Sequence, residues 1–326
     1  GEEGHPKEGH PKEGHPKEGC RSQSRLRRRD LRLNRGRMSR EGRELDGVGL
    51  GLRWEFLEAV LDGPELDVAF WEVCPENYMH RGGYYPDALA RIAERTPVLT
   101  HGLSLSVGAS DPAPMDYLTE LRTETQRLGT PWHSDHLCLS SAGPLMLHEL
   151  IPLKQSSANA IRAAERVRRA RDVLGLPMLV ENITWYAHPG RREIPEADFI
   201  TEVVERADAS LLLDVNNVWV NSQNHGFDPR AFIAALPLGR VRQIHVAGHT
   251  KTDSGLILDT HGAPVVDPVV DLLEWTLERT GPMPVLLERD HQVPELSELL
   301  AEVRRLTEAY NRALARRKEA PLVRSA

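Results

Sequence analysis

The densest clustering of reactive side chains in this chain is PWHSDHL, residues 131–137, which sets two histidines and an aspartate within four residues. Imidazole and carboxylate groups at such spacing can hold a cation or move a proton. They can equally form an ordinary polar strand end, so the reading depends on what else the chain brings to the same place. The pattern recurs at the ends of apolar runs. His101 ends the third run, Asp135 and His136 the fourth, Glu181 with Asn182 the fifth, and Asp214 with Asn216 and Asn217 the sixth. His245 ends the seventh, Glu288 with Asp290 the eighth, and Asp259 and His261 stand in LDTHGAP after the seventh. Singly, each has a plain explanation, as a helix cap or a satisfied core histidine. Together, several anions crowded into a partly dry pocket would repel one another, at several kcal/mol each, unless cations compensate them.

The elements that must position these residues are eight short runs: GVGLGL (47–52), VAFWEV (68–73), PVLTHGL (97–103), PWHSDHL (131–137), MLVENI (178–183), SLLLDV (210–215), VRQIHV (241–246) and PVLLER (284–289). Helical patterns separate them. The clearest covers 156–174, with Ile161, Ala164, Val167, Ala170 and Leu174 on one face and Ser156 or Ser157 as N-cap. Another covers about 295–315, with Leu296, Leu299, Leu300, Val303, Leu306 and Ala309 on one face. Near-continuous apolar strands alternating with helices predict a parallel sheet covered outside, and eight units predict a (β/α)8 TIM barrel. A doubly wound open sheet is the alternative, but no strand leads into GxGxxG or GxxxxGK[ST]. The glycines of GVGLGL are expected to relieve crowding in the barrel. A barrel gathers its strand ends at one mouth, where about nine candidate ligands suffice for two or three ions sharing carboxylates. Ligation without thiolate suits iron, manganese or zinc.

The whole chain has a net charge of −7. Residues 1–37 hold 11 Lys/Arg against 6 Asp/Glu, a net of +5, which leaves −12 on the body. Such a body does not suit a nucleic-acid binder. No apolar run is long enough to span a membrane, and no secretory signal is evident. The odd set of Cys20, Cys74 and Cys138 fits neither a disulfide framework nor a Cys-rich zinc site, and a reducing cytoplasm is the expected compartment. Residues 3–19 repeat EGHPK with no apolar position, which predicts a disordered, non-catalytic tail over 1–45 despite His5, His10 and His15. The functional protein is expected to begin at Met38, and the barrel domain to cover 46–318. WEVCPENYMHRGGYYP, with Trp71, Tyr78, Tyr84 and Tyr85, reads either as an apolar docking rim or as aromatic core packing.

The ordered segments THGLSLS, SDHL, LVENITWY, LLLDVNNVWVNSQNHG, IHVAGH, DTHGAPV and LLERD closely resemble the multinuclear non-haem iron-dependent oxidative enzymes (MNIO), the family of the methanobactin biosynthetic oxidase and the bufferin-maturing enzymes. The similarity covers residues 46–305. It implies a xylose-isomerase-like TIM barrel with two or three iron ions, and dioxygen-dependent modification of cysteines in a ribosomally synthesised precursor peptide. A separate peptide-recognition protein assists many members. Carried over by motif, the ligands would be His101, Asp135, His136, Glu181, Asp214, Asn217, His245, Asp259, His261 and Glu288, with Asp290 transferring protons. His225 and His249 would be non-ligating pocket residues, and His133 a deeper supporting one. Two other classes remain open: a di- or trimetal sugar isomerase or phosphodiester hydrolase on the same barrel, and a non-enzymatic metal- or peptide-binding protein.

Overall fold

The computed structural model describes residues 45–143 and 145–319. The expected tail, apart from its last residue, lies outside the described residues, as do Cys20 and Met38. The strands are β1 (Gly47–Gly51), β2 (Trp71–Val73), β3 (Val98–Gly102), β4 (His133–His136), β5 (Cys138–Ala142), β6 (Leu145–Pro152), β7 (Met178–Glu181), β8 (Ser210–Asp214), β9 (Val241–Ala247), β10 (Thr250–Lys251), β11 (Ile257–Leu258) and β12 (Pro284–Glu288). The helices are α1 (Leu57–Asp62), α2 (Tyr84–Arg95), α3 (Met115–Leu128), α4 (Ser157–Leu174), α5 (Glu196–Ala207), α6 (Val215–His225), α7 (Pro229–Ala235), α8 (Asp267–Thr280) and α9 (Leu296–Glu319). β1, β2, β3, β4, β7, β8, β9 and β12 close in that order into a parallel barrel. Each of the eight apolar runs supplies one of these strands, and the open-sheet alternative is excluded. β5–β6 and β10–β11 are short antiparallel pairs in the loops that follow β4 and β9.

Inside the barrel, Phe70, Leu99, Trp132, Leu179, Leu212 and Leu286 form an apolar plug separate from the larger core under the helices. A Cβ at Gly49 would lie 2.6 Å from the Phe70 carbonyl oxygen, so the glycine lets Phe70 fill the interior beside β1. Residues two and four positions beyond the plug on each strand therefore face the same interior at the C-terminal mouth. Helix α4 begins at Ser156, whose Oγ accepts from the Asn159 amide at 3.3 Å, and stops at Gly175, φ +71°. Its buried face runs through Ala160, Ala163, Ala164, Val167, Ala170 and Leu174. Ile161, expected on that face, is exposed, because it lies about 100° around the axis from Ala160. On α9, Leu299, Val303, Leu306 and Ala309 are buried as expected. No helix among the described residues is long and apolar enough to cross a membrane.

The aromatic segment divides between its two readings. Trp71 and Tyr78 are buried, whereas Tyr84 and Tyr85 are exposed, Tyr85 stacking on Trp54 with centroids 5.0 Å apart. Cys74 is half-buried and burial pushes its thiol well up, away from thiolate reactivity.

At the first residue of α5, burial pushes the Glu196 carboxyl up to about 7, although it accepts a hydrogen bond from Trp185 Nε1 at 3.1 Å. The folded protein then binds this proton more tightly than the unfolded chain, so the group lowers stability as pH rises from about 4.5 through 7. Glu196→Gln is expected to raise Tm at pH 8 by roughly 2–6 °C and to lose that advantage at pH 5. Paired thermal melts at the two pH values check it; a gap independent of pH would refute the assignment.

Candidate metal centre

The last residues of β3, β4 and β7 bring three ligand atoms together. His101 Nε2 lies 3.2 Å from His136 Nε2 and 3.0 Å from Glu181 Oε2, and His136 Nε2 lies 3.2 Å from the same oxygen. Ligands about 2.1 Å from one ion, at 90–109° to each other, would be about 3.0–3.4 Å apart. Both rings are oriented from behind. Ser134 Oγ donates to the Thr100 carbonyl, so it accepts from His101 Nδ1 at 2.9 Å; His136 Nδ1 donates to the Gly102 carbonyl at 3.2 Å. With these tautomers both Nε2 lone pairs face a carboxylate, a set that a shared cation would reconcile.

A second group, Glu181, Asp214, His245 and Glu288, joins the ends of β7, β8, β9 and β12, with potential ligand atoms within 4.8 Å of one another. His245 Nδ1 is 3.6 Å from Glu181 Oε1 and 3.4 Å from Glu288 Oε2. A third gathers His261, Glu288 and Asp290. His261 Nδ1 donates to Asp290 Oδ2 at 2.9 Å, and its Nε2 lies 2.8 Å from Asp259 Oδ1. Asp290 also pairs with Arg53, whose Nε donates to the Arg289 carbonyl. Asp259 accepts from Asn216 Nδ2 at 2.7 Å, and Thr184 Oγ1 lies 3.1 Å from its other oxygen. His261 takes up a left-handed backbone, φ +47°.

Glu181 Oε2, Asp214 Oδ2, His245 Nδ1, Glu288 Oε2 and His261 Nε2 are buried and accept no hydrogen bond. Uncompensated, such a set would be costly. The electrostatics record the strain. Burial opposes charge on His101, but Glu181 outweighs it and pushes the ring up to about 9; burial also opposes charge on His261, which Glu288 and Asp259 push up to about 10. Burial pushes His136 down to about 4, beside a Glu181 that, despite burial, His136 and His101 hold well below the carboxylate range. Asp214 is driven well up by burial, then by Glu181 and Asp259. Cations of hard or borderline character fit this all-N/O donor set.

Two residues expected as ligands stand beside the cluster. Asp135 lies on the face of β4 opposite His136, because neighbouring strand residues alternate. Its oxygens accept from the Leu105 amide at 3.0 Å and the His136 amide at 2.7 Å, and burial pushes it up to about 7. His133 shares that face, its ring pushed down by burial to about 4. Gly102 makes room for both: a Cβ there would lie 2.7 Å from Asp135 Oδ2 and 2.9 Å from His133 Nε2. Asn217 is engaged at both ends, with Nδ2 donating to the Asn182 carbonyl at 3.0 Å and Oδ1 accepting from Thr184 at 2.7 Å, while its amide caps α6 on Asp214 at 2.6 Å. His249 pairs with Asn216 Oδ1 at 2.8 Å, and His225 stacks on Trp185. Sequence reasoning missed Glu72, a buried carboxylate 3.1 Å from His245 Nε2. The signal was there: Glu72 is two positions beyond inward-facing Phe70 in an otherwise apolar run.

A closed parallel barrel whose mouth gathers imidazoles and carboxylates around shared buried acceptors defines a TIM-barrel protein with a candidate multinuclear metal centre. The model of the family described as RiPP precursor modification enzyme MbnB/TglH/ChrH matches residues 47–311, and the chain belongs to that family, as the resemblance to MNIO implied. A UPF0276 protein of Acinetobacter baylyi is 44% identical over 260 residues, covering 80% of this chain and 90% of the relative. One from Pseudomonas aeruginosa is 45% identical over 270 residues, covering 82% and 94%. Among solved structures, an L-ribulose 3-epimerase superposes with a TM-score of 0.54 at 13% identity, over 84% of this chain and 96% of the other. A xylose isomerase domain protein from Alicyclobacillus acidocaldarius gives 0.52 at 18%, over 84% and 99%. At these identities the likeness shows the xylose-isomerase-like fold alone.

Proposed function

We propose that this protein is an iron-dependent oxidase that uses dioxygen to modify cysteine residues of a ribosomally synthesised precursor peptide. The observation that carries the reading is the convergence of unpartnered buried acceptors on shared carboxylates, Glu181 and Glu288, at the mouth of a barrel of the precursor-modifying family. His101, His136 and Glu181 would hold one ion; Glu181, Asp214, His245 and Glu288 a second; Asp259, His261 and Glu288 a third. Bound iron would supply the redox chemistry, coupling dioxygen reduction to oxidation of a cysteine held at the mouth. Asp135 and Asn217 would hold backbone and neighbouring side chains in place. Asp290, partly exposed and hydrogen-bonded to His261, would accept or deliver a proton at the rim, and Arg53 would hold it there. Trp54, which follows Arg53 in sequence and stacks on Tyr85, offers with Tyr84 and Tyr85 apolar area to the peptide or to a separate recognition protein.

Coexpression with a Cys-containing candidate precursor, followed by mass spectrometry of the peptide and iron analysis of the protein, tests the proposal. A mass change that needs both iron and air is expected. Activity retained under nitrogen with zinc or manganese would refute it in favour of non-redox metal chemistry.

A further inference from the structure

We propose that Glu72 is the positioning residue that makes His245 a metal ligand, by holding the proton on Nε2 so that Nδ1 is free to bind. The inference rests on the metal-centre reading above. Glu72 and His245 are both buried, on β2 and β9. Glu72 Oε1 lies 3.1 Å from His245 Nε2, and Glu72 Oε2 accepts from Gln243 Nε2. The orientation of Gln243 is decided one step further back. Trp132 Nε1 can only donate, and it donates to Gln243 Oε1 at 2.9 Å, so the amide turns its NH2 group towards Glu72.

That NH2 also lies 3.0 Å from His245 Nε2, so two groups compete there. Gln243 would donate to an unprotonated Nε2, whereas Glu72 would accept from a protonated one. The charge-assisted bond to the carboxylate is about twice as strong as the neutral one. Glu72 therefore wins, and the proton stays on Nε2. Nδ1, with no hydrogen-bond partner, then presents its lone pair to the site between Glu181 and Glu288. The chain Trp132, Gln243, Glu72, His245 runs from the apolar plug to the mouth. It gives β2 and β9, which are not neighbours in the barrel, a shared part in the centre.

Glu72→Gln keeps the shape but removes the charge. An amide NH2 at position 72 or 243 then donates to Nε2, and the proton moves to Nδ1, where it blocks the ion. The full-length protein, its Glu72→Gln variant and a His245→Ala variant would be purified with iron and dialysed against graded chelator, with iron per chain and Tm measured at each step. Wild type should hold its iron, and His245→Ala should hold less. Glu72→Gln should release the same increment as His245→Ala at a chelator concentration about 10–100-fold below that needed for wild type, with the remaining iron unchanged. Glu72→Gln retention equal to wild type overturns the inference alone, as does parallel loss of all iron with a collapsed Tm. Absence of iron from wild type overturns the metal-centre reading and the inference with it. Independently of how the variant folds, ¹⁵N-histidine NMR of zinc-loaded wild type should show His245 as the Nε2–H form with a solvent-protected ring proton; an Nδ1–H form overturns the proposal.

Discussion

Replacing Glu181 by Ala is expected to strip more iron from the protein than any histidine-to-alanine change at the same mouth, and to abolish peptide modification. Glu181 ends β7 inside the barrel, with one oxygen 3.0 and 3.2 Å from the Nε2 atoms of His101 and His136 and the other 3.6 Å from His245 Nδ1. One carboxylate thus serves two ligand groups, whereas His136 serves one. Its loss removes a donor from two ion positions and leaves His101 without the carboxylate that most favours its charge. Breaking a buried charge set in this way costs about 3–5 kcal/mol, so the metal-free variant should also melt earlier. Turnover should fall by at least about 10²–10³-fold, the scale on which one electrostatic group in a dry site acts. Iron per chain, Tm and the peptide mass shift read the three effects. Wild-type iron stoichiometry in Glu181→Ala would sink the shared-carboxylate assignment.

Asp290→Asn is expected to do the opposite: keep the iron and lose the rate. Asp290 lies two residues beyond Glu288, accepts from His261 Nδ1 and pairs with Arg53 at the partly exposed rim. Asparagine retains one acceptor for His261, so the ring keeps its orientation, but it cannot take up a proton at neutral pH. Where a general acid–base group is removed, turnover falls by about 10²–10⁴-fold. Iron analysis beside single-turnover peptide mass spectrometry separates the effects. Full activity would refute the proton-transfer role, and loss of iron would reassign Asp290 to support of His261.

Much of this was legible because a parallel barrel repeats one simple pattern. Eight apolar runs, six of them ending in His, Asp or Glu, announced both the strands and the layer of their chemistry, and each run became one barrel strand. His101, His136, Glu181, Asp214, His245 and Glu288 were visible as strand ends and do converge. Asp135 was visible for the same reason and does not join them: next to His136 on a four-residue strand, it must face the other way. Ile161 fell to a similar slip of phase on α4, where one residue is about 100° of rotation.

The sequence by itself determined the barrel and the residue types at its mouth, since alternation of apolar strands with amphipathic helices and polar strand ends are local properties. Only the tertiary structure decided which atoms meet. Contacts such as that between Glu72 and His245, 173 positions apart in the chain, are set by closure of the barrel. The protonated nitrogen of each histidine is likewise chosen by the partner behind the ring, Ser134 for His101 and the Gly102 carbonyl for His136. Such choices depend on distances of a few tenths of an ångström between elements remote in sequence, and no local pattern encodes them.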